Sequence, residues 1–158
     1  MPSEIVIACS ELLIEKELTL AFAESASAGR LSAEFSLVPK CGKMLKGGLV
    51  CYDAGVKLDI LGVPADVVEK YTPESAEVTK ELAERLKDFM PSDIQVAVTG
   101  LTMEGGSETE EKPVGTMFIH ALIEGKPVAV REVYKGSPEQ IVLQTVDRVA
   151  RLLMDHLK

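Results

Sequence analysis

The sequence predicts a three-layer α/β/α domain built around a mixed sheet of about five strands. Three observations predict it. Short apolar runs of strand length alternate with amphipathic helical segments, the pattern of parallel strands joined by helices. The last two apolar runs, Val114 to Ile123 and Pro127 to Val133, are separated only by Glu124-Gly125-Lys126, which forces an antiparallel hairpin and adds one reversed strand. No linker, repeat or low-complexity tract interrupts the chain, so residues 1–158 read as one domain.

The elements follow in order. Ser3 caps a helix to about Lys16, with Ile5, Cys9, Leu12 and Leu13 inward. Leu18 to Ala23 is a strand, and the small-residue stretch after it leads into a helix through Phe35. Gly48 to Tyr52 is a second strand and Ala54 to Leu61 a short helix. Thr72-Pro73-Glu74 reads as a helix start: a capping hydroxyl, Pro at the first position, and an acid near the positive end of the dipole. Ala76, Thr79, Leu82, Ala83, Leu86 and Met90 then recur at helical spacing. Ile94 to Thr99 is a buried strand. After the hairpin, Ser137-Pro138-Glu139-Gln140 is a capping box opening a last helix with Ile141, Val149, Leu152, Leu153 and Leu157 inward.

Composition narrows the function classes. With 25 acids against 17 bases the net charge is −8, a field that repels polyphosphate backbones and argues against a nucleic-acid partner. A small anionic substrate requires local donors. Cys9, Cys41 and Cys51 are an odd number without paired spacing, which implies reduced thiols. His120 and His156, the two histidines, have no metal-ligand spacing and read as structural or surface residues, so no metal or cofactor is expected. The Met1-Pro2-Ser3-Glu4 start lacks a basic leader region, and no apolar run is long enough to cross a bilayer; a soluble, cytoplasmic protein without membrane partners is expected.

Three segments can carry chemistry. In Ala23-Glu24-Ser25-Ala26-Ser27-Ala28-Gly29 a strand ends and small residues lead into a helix N-terminus. Ser25 stands where a nucleophile would. Glu24, Ala26, Ser27 and Gly29 flank a backbone that a ligand can approach, near unpaired amides that favour an anion or oxyanion. The alternative is a turn whose serines cap the helix. In the second segment, Tyr52 ends a strand and Lys57 follows five residues later. Phenol and ammonium brought together there can activate a hydroxyl, if burial lowers the lysine pKa, or can bind a phosphate. The alternative is a solvated lysine. The third segment is Thr99-Gly100 at the end of a buried strand, followed by a polar loop and Lys112-Pro113-Val114-Gly115-Thr116. Ligands of open α/β sheets sit beyond the carboxyl ends of the strands, where Ser25, Tyr52 and Thr99 converge if their strands are parallel.

The stretches AESASAG, VP followed by KGGLVCY and Lys57, VTG, and EKPVGT, in this order, resemble the CinA C-terminal family, also known as nicotinamide mononucleotide deamidases. The similarity runs nearly the whole length. It implies a three-layer domain with a mixed five-stranded sheet, found alone or fused behind a second domain similar to molybdopterin-binding folds. The implied reaction is deamidation of nicotinamide mononucleotide to nicotinic acid mononucleotide and ammonia, in a homo-oligomer. On this resemblance Ser25, Tyr52, Lys57 and Thr99 are catalytic, while Glu24, Ala26, Ser27, Gly29, Gly100, Lys112, Gly115 and Thr116 bind substrate. The sequence also departs from the family pattern. Ala26 and Ala28 replace the Cys and first Gly of ESCTGG. Lys40-Cys41-Gly42 replaces Gly-Ser-Ser, Leu101-Thr102-Met103 replaces an Ala-Gly-Pro-like turn, and Gly136-Ser137-Pro138 replaces Gly-Asp-Arg. The competing expectation is therefore a family member that has lost or altered catalysis and serves as a ligand-binding or interaction module.

Overall fold

A computed structural model of the chain describes residues 1–157. Helix α1 (Glu4–Glu15) is capped by Ser3, whose hydroxyl accepts from the Val6 amide. It buries Val6, Cys9, Ser10 and Leu13, with Ile5 and Leu12 only half-buried beside them. Ser10 escapes the apolar pattern because its hydroxyl donates to the Val6 carbonyl at 2.8 Å, so its burial leaves nothing unpaired. Strand β1 (Leu20–Glu24) and helix α2 (Arg30–Ser36) follow, then a 3₁₀ turn at Cys41–Lys43. Strand β2 (Leu45–Val50) starts and ends earlier than the sequence suggests. Gly48 is required within it, because a Cβ there would lie 2.0 Å from the Ser32 hydroxyl of α2.

Helices α3 (Ala54–Asp59), α4 (Ala65–Tyr71) and α5 (Ala76–Phe89) lead to β3 (Ile94–Gly100). Two corrections fall here. Helix α4 has no counterpart in the sequence reading: its seven residues contain no fully buried position to mark a periodic face. The next helix starts later than Thr72-Pro73-Glu74 suggests. Ser75 is the cap, accepting from the Val78 amide, and Ala76 is the first helical residue. Thr72 has φ 71° instead, and Lys112 holds the Thr72 hydroxyl at 2.6 Å and the Glu74 carbonyl at 2.8 Å. A tertiary clamp overrides the local capping preference.

Strands β4 (Thr116–Ile123) and β5 (Lys126–Val133) form the expected hairpin. Its tight loop has Glu124 and Gly125 both at positive φ, as a two-residue primed turn demands. Helix α6 (Pro138–Leu157) closes the described chain with its capping box intact: the Ser137 amide donates to Gln140 Oε1 and the Gln140 amide to Ser137 Oγ.

The sheet order is β2-β1-β3-β4-β5. β2, β1 and β3 are parallel, and β4 is the one reversed strand, antiparallel to both neighbours. Leu20, Phe22, Val96, Val98 and Ile119 face α1, α2 and α6, while Ala21, Ala23 and Ala97 face the α3–α5 side. The Phe22 and Phe35 rings, tilted with centroids 5.2 Å apart, seat α2 on β1, a contact worth ~0.5–1.5 kcal/mol beyond area burial. The alternation that builds both cores also sorts the site: Glu24 belongs to the α2 face and Ser25 to the opposite one.

Candidate active site

Glu24 is fully buried, and four donors hold its carboxylate. Oε1 accepts from Ser27 Oγ and the Leu31 amide, and Oε2 from the amide and hydroxyl of Ser32, all at 2.7–2.9 Å. Two expectations are corrected by this. Glu24 has no free acceptor for a substrate. The first-turn amides of α2 are not an open anion site, because Glu24 is itself the anion they bind. The result is a rigid Ser25-to-Gly29 turn, in which Ala28 and Gly29 both adopt positive φ. The amides of Ala26 and Ser27, directly after Ser25, have no hydrogen-bond partner among the described residues.

The Ser25 amide donates to the Val98 carbonyl, which continues the β1–β3 ladder one residue past Glu24↔Val98. Ser25 and Thr99 are therefore neighbours on one face, the face covered by α3 and α5. From α3, Lys57 reaches in. It is 1% exposed, and its Nζ lies 2.9 Å from Ser25 Oγ, 2.8 Å from the Cys51 carbonyl and 3.2 Å from the Tyr52 carbonyl. Among the described residues no carboxylate pairs with it. Burial pushes its pKa below the usual lysine value, only partly opposed by Cys51, Glu74 and Asp53. The three contacts fit either protonation state: the ammonium donates to all three oxygens. In the neutral amine the two carbonyls, which can only accept, take its two N–H bonds, and the lone pair accepts the Ser25 hydroxyl proton.

Thr99 is buried with its hydroxyl 2.8 Å from that of Thr79 on α5. Thr79 donates its single proton to the Ser75 carbonyl, so Thr99 must donate to Thr79. Its remaining lone pair can only accept. The Tyr52 phenol is not paired with Lys57 as expected. The contact runs through the Tyr52 carbonyl, and the ring, 57% exposed, stands at the mouth of the site.

Two cavities meet at this mouth. The inner one, about 290 Å³, is reached by Ser25, Glu74, Gly100 and the Leu101–Gly106 loop. The outer one, about 480 Å³, runs along Ser27, Gly29, Arg30, Pro138 and Glu139. Ala26, Tyr52, Thr102 and Met103 line both. Gly100 is forced, since a Cβ there would meet Met117 Sδ at 2.2 Å. The expected substrate contacts from the Lys112–Thr116 block are corrected. Lys112 spends its three donors on Thr72 Oγ1, the Glu74 carbonyl and Ser107 Oγ. Gly115, at φ +99°, donates to the Leu101 carbonyl and faces the Tyr134 carbonyl. The Thr116 hydroxyl donates to the Pro113 carbonyl. These three lock the loop that forms the cavity wall, and none of them lines a cavity at Ser25.

The sequence reading missed Thr79, counted only as part of an apolar helix face, and Glu74, read as a first-turn acid. A hydroxyl on a buried stripe was the available signal for Thr79. It also missed Arg30, which brings a guanidinium to the outer cavity from α2; Glu34 at 2.7 Å and Glu139 at 3.2 Å hold it there. Cys9, Cys41 and Cys51 are free thiols. Among the described residues no cluster of metal-ligating side chains occurs, and no helix is long and apolar enough to cross a membrane.

These features define a class: three-layer α/β/α domains with a buried serine–lysine pair, here Ser25 at the end of β1 and Lys57 on α3. The profile of the CinA C-terminal domain matches residues 3–157. The chain is 40% identical over 117 residues to a CinA-like protein of Dictyoglomus thermophilum, covering 73% of this chain and 28% of that protein. It is 37% identical over 147 residues to a CinA-like protein of Thermotoga neapolitana, covering 93% of this chain and 36% of the other. The crystal structure of a competence-damaged (CinA) superfamily protein from Escherichia coli matches with a TM-score of 0.87 at 26% identity, over 95% of this chain and 88% of that one. That of a competence or damage-inducible protein from Enterobacter asburiae shares the fold, with a TM-score of 0.91 at 24% identity over 98% and 97% of the two chains. The chain belongs to the CinA C-terminal domain family. It spans about a third of the length of the curated relatives it matches.

Proposed function

We propose that the chain is a serine amidohydrolase that deamidates nicotinamide mononucleotide to nicotinic acid mononucleotide and ammonia, within cytoplasmic pyridine-nucleotide salvage. The observation that carries this reading is the 2.9 Å contact between Ser25 Oγ and a buried, carboxylate-free Lys57. Neutral Lys57 takes the Ser25 proton as Oγ attacks the carboxamide carbon, a general-base contribution of roughly 10²–10⁴ in rate. The unpartnered Ala26 and Ser27 amides receive the oxyanion; losing one such donor typically costs on the order of 10²–10³. The lysine ammonium then gives its proton to the departing nitrogen, and ammonia leaves. Water, deprotonated by the same amine, releases the acid and restores Ser25. Thr99, fully buried and lining neither cavity, acts as a positioning residue that ties β3 to Thr79 of α5 beside Ser25. The mononucleotide's phosphate would lie in the outer cavity and compete with Glu139 for Arg30.

That competition supports a second reading, a binding module without turnover, because the cation of the outer cavity is already neutralised. An ammonia-release assay with nicotinamide mononucleotide, nicotinamide and other small amides separates the two. Turnover that is abolished by Ser25→Ala supports the hydrolase. Full activity in that variant ends the nucleophile assignment, and saturable binding without ammonia establishes the module.

A further inference from the structure

A separate hollow, of about 190 Å³, lies between α5 and the outer strands β4 and β5. Its origin is in the register. Phe118 pairs with Arg131 and His120 with Ala129, so the alternating side chains of both strands turn toward α5. Helix α5 covers β4 but leaves Ala129 and Arg131 of β5 exposed. Ala129 opposite His120, and Ala76 at the start of α5, are too small to fill the gap.

In this mainly apolar wall one polar group lacks a hydrogen-bond partner and a second lacks a counter-charge. His120 is only 6% exposed, and its Nε2 is shielded from solvent without a hydrogen-bond partner. A buried ring nitrogen left unpaired is costly and rare in a native fold. Arg131 stacks its guanidinium over the Phe118 ring, 5.9 Å from the centroid, and gives one N–H arm to the Glu111 carbonyl. Among the described residues no carboxylate pairs with it, in a chain whose net charge is −8. His120 and Arg131 are diagonal neighbours across the strand pair, at a backbone spacing of roughly 7–8 Å, which one carboxylate can bridge.

We propose that this hollow binds a small apolar monocarboxylate, its carboxylate held between the Arg131 guanidinium and His120 Nε2–H and its hydrocarbon body against Phe118, Ala76 and Ala129. Lys80 and Glu84, the α5 charges that act on His120, oppose each other and leave Arg131 as the net attraction. The volume admits a ring or short branched chain and excludes a nucleotide. Burial of the neutral imidazole, which holds its pKa below the ordinary value, keeps one N–H and one acceptor on the ring rather than a second competing charge.

The test is an NMR titration of the full chain, and of Ser25→Ala to exclude acyl chemistry at the other site, with benzoate, butyrate and neutral benzyl alcohol. Benzoate should shift Ala76, Thr79, His120 and Ala129 saturably, with Kd on the order of 1 mM, as its few heavy atoms allow. Arg131→Met and His120→Phe should each weaken it at least about tenfold. Ala129→Leu, which fills the hollow without touching either polar group, should abolish the shifts, while Arg151→Met should leave them unchanged. Circular dichroism of each variant confirms folding. The proposal is overturned if benzyl alcohol binds as tightly as benzoate, or if Ala129→Leu binds normally. It is equally overturned if these residues shift with protein concentration alone, which would place a second copy of the chain in the hollow.

Discussion

Glu24→Gln separates a residue that builds the site from one that touches substrate. Each oxygen of Glu24 accepts one backbone amide and one hydroxyl: Leu31 N and Ser27 Oγ on one side, Ser32 N and Ser32 Oγ on the other. Whichever way the new amide turns, its NH₂ faces one backbone N–H and one hydroxyl. The hydroxyl can rotate to accept, but the N–H cannot, so one buried donor is orphaned at about 1–3 kcal/mol. The surviving bonds lose their ionic assistance, which is worth roughly another 1–2 kcal/mol. The expected loss is about 2–5 kcal/mol in all, or roughly 5–15 °C in Tm for a domain of this size. Thermal and urea melts measure it, and on the proposed hydrolase reading kcat should fall with stability as the Ser25–Gly29 turn loosens. A variant within about 0.5 kcal/mol of the parent, the range of an ordinary surface substitution, would refute the reasoning. An unchanged melt with a raised KM would assign Glu24 to the substrate instead.

Two further outcomes follow from the same geometry. On the proposed hydrolase reading the neutral form of Lys57 is the active one, and burial lowers its pKa, so kcat/KM should rise with pH through an ionisation below the usual 10.5 of lysine; a profile that falls over that range contradicts the base assignment. Gly115→Ala would put a Cβ 1.9 Å from the Tyr134 carbonyl at φ +99°, whereas Gly105→Ala at φ +101° meets open space. Urea midpoints should show the first losing more than about 2 kcal/mol and the second only the ~1 kcal/mol of left-handed strain; equal losses would mean that the Gly115 contact is not structural.

Local chemistry was legible from the chain alone. The apolar runs gave the strands because alternation and length are written residue by residue. Glu124-Gly125 could only be a tight hairpin, and the Ser137–Gln140 capping box formed as its spacing requires. Ser25 and Lys57 were singled out because a strand end, and a lysine five residues past the tyrosine that ends the next expected strand, are local features. The capping signal at Thr72 was equally local, and it failed because a lysine forty positions away claimed that hydroxyl.

Partner choice across the fold was not legible, and there the tertiary structure decided. Tyr52 and Lys57 meet through a carbonyl rather than a phenol, Glu24 serves α2 rather than a ligand, Lys112 is spoken for by Thr72 and Glu74, and Arg30 adds the remote Glu139 to its helix neighbour Glu34. The sequence determines which stretches form strands and helices and which apolar faces turn inward, because those follow from periodicity and backbone preference; the burial of Ser10 and Lys57 was decided by packing. Which buried group a polar side chain finally bonds depends on how helices and strands pack, and that packing brings together residues between which the chain carries no spacing signal.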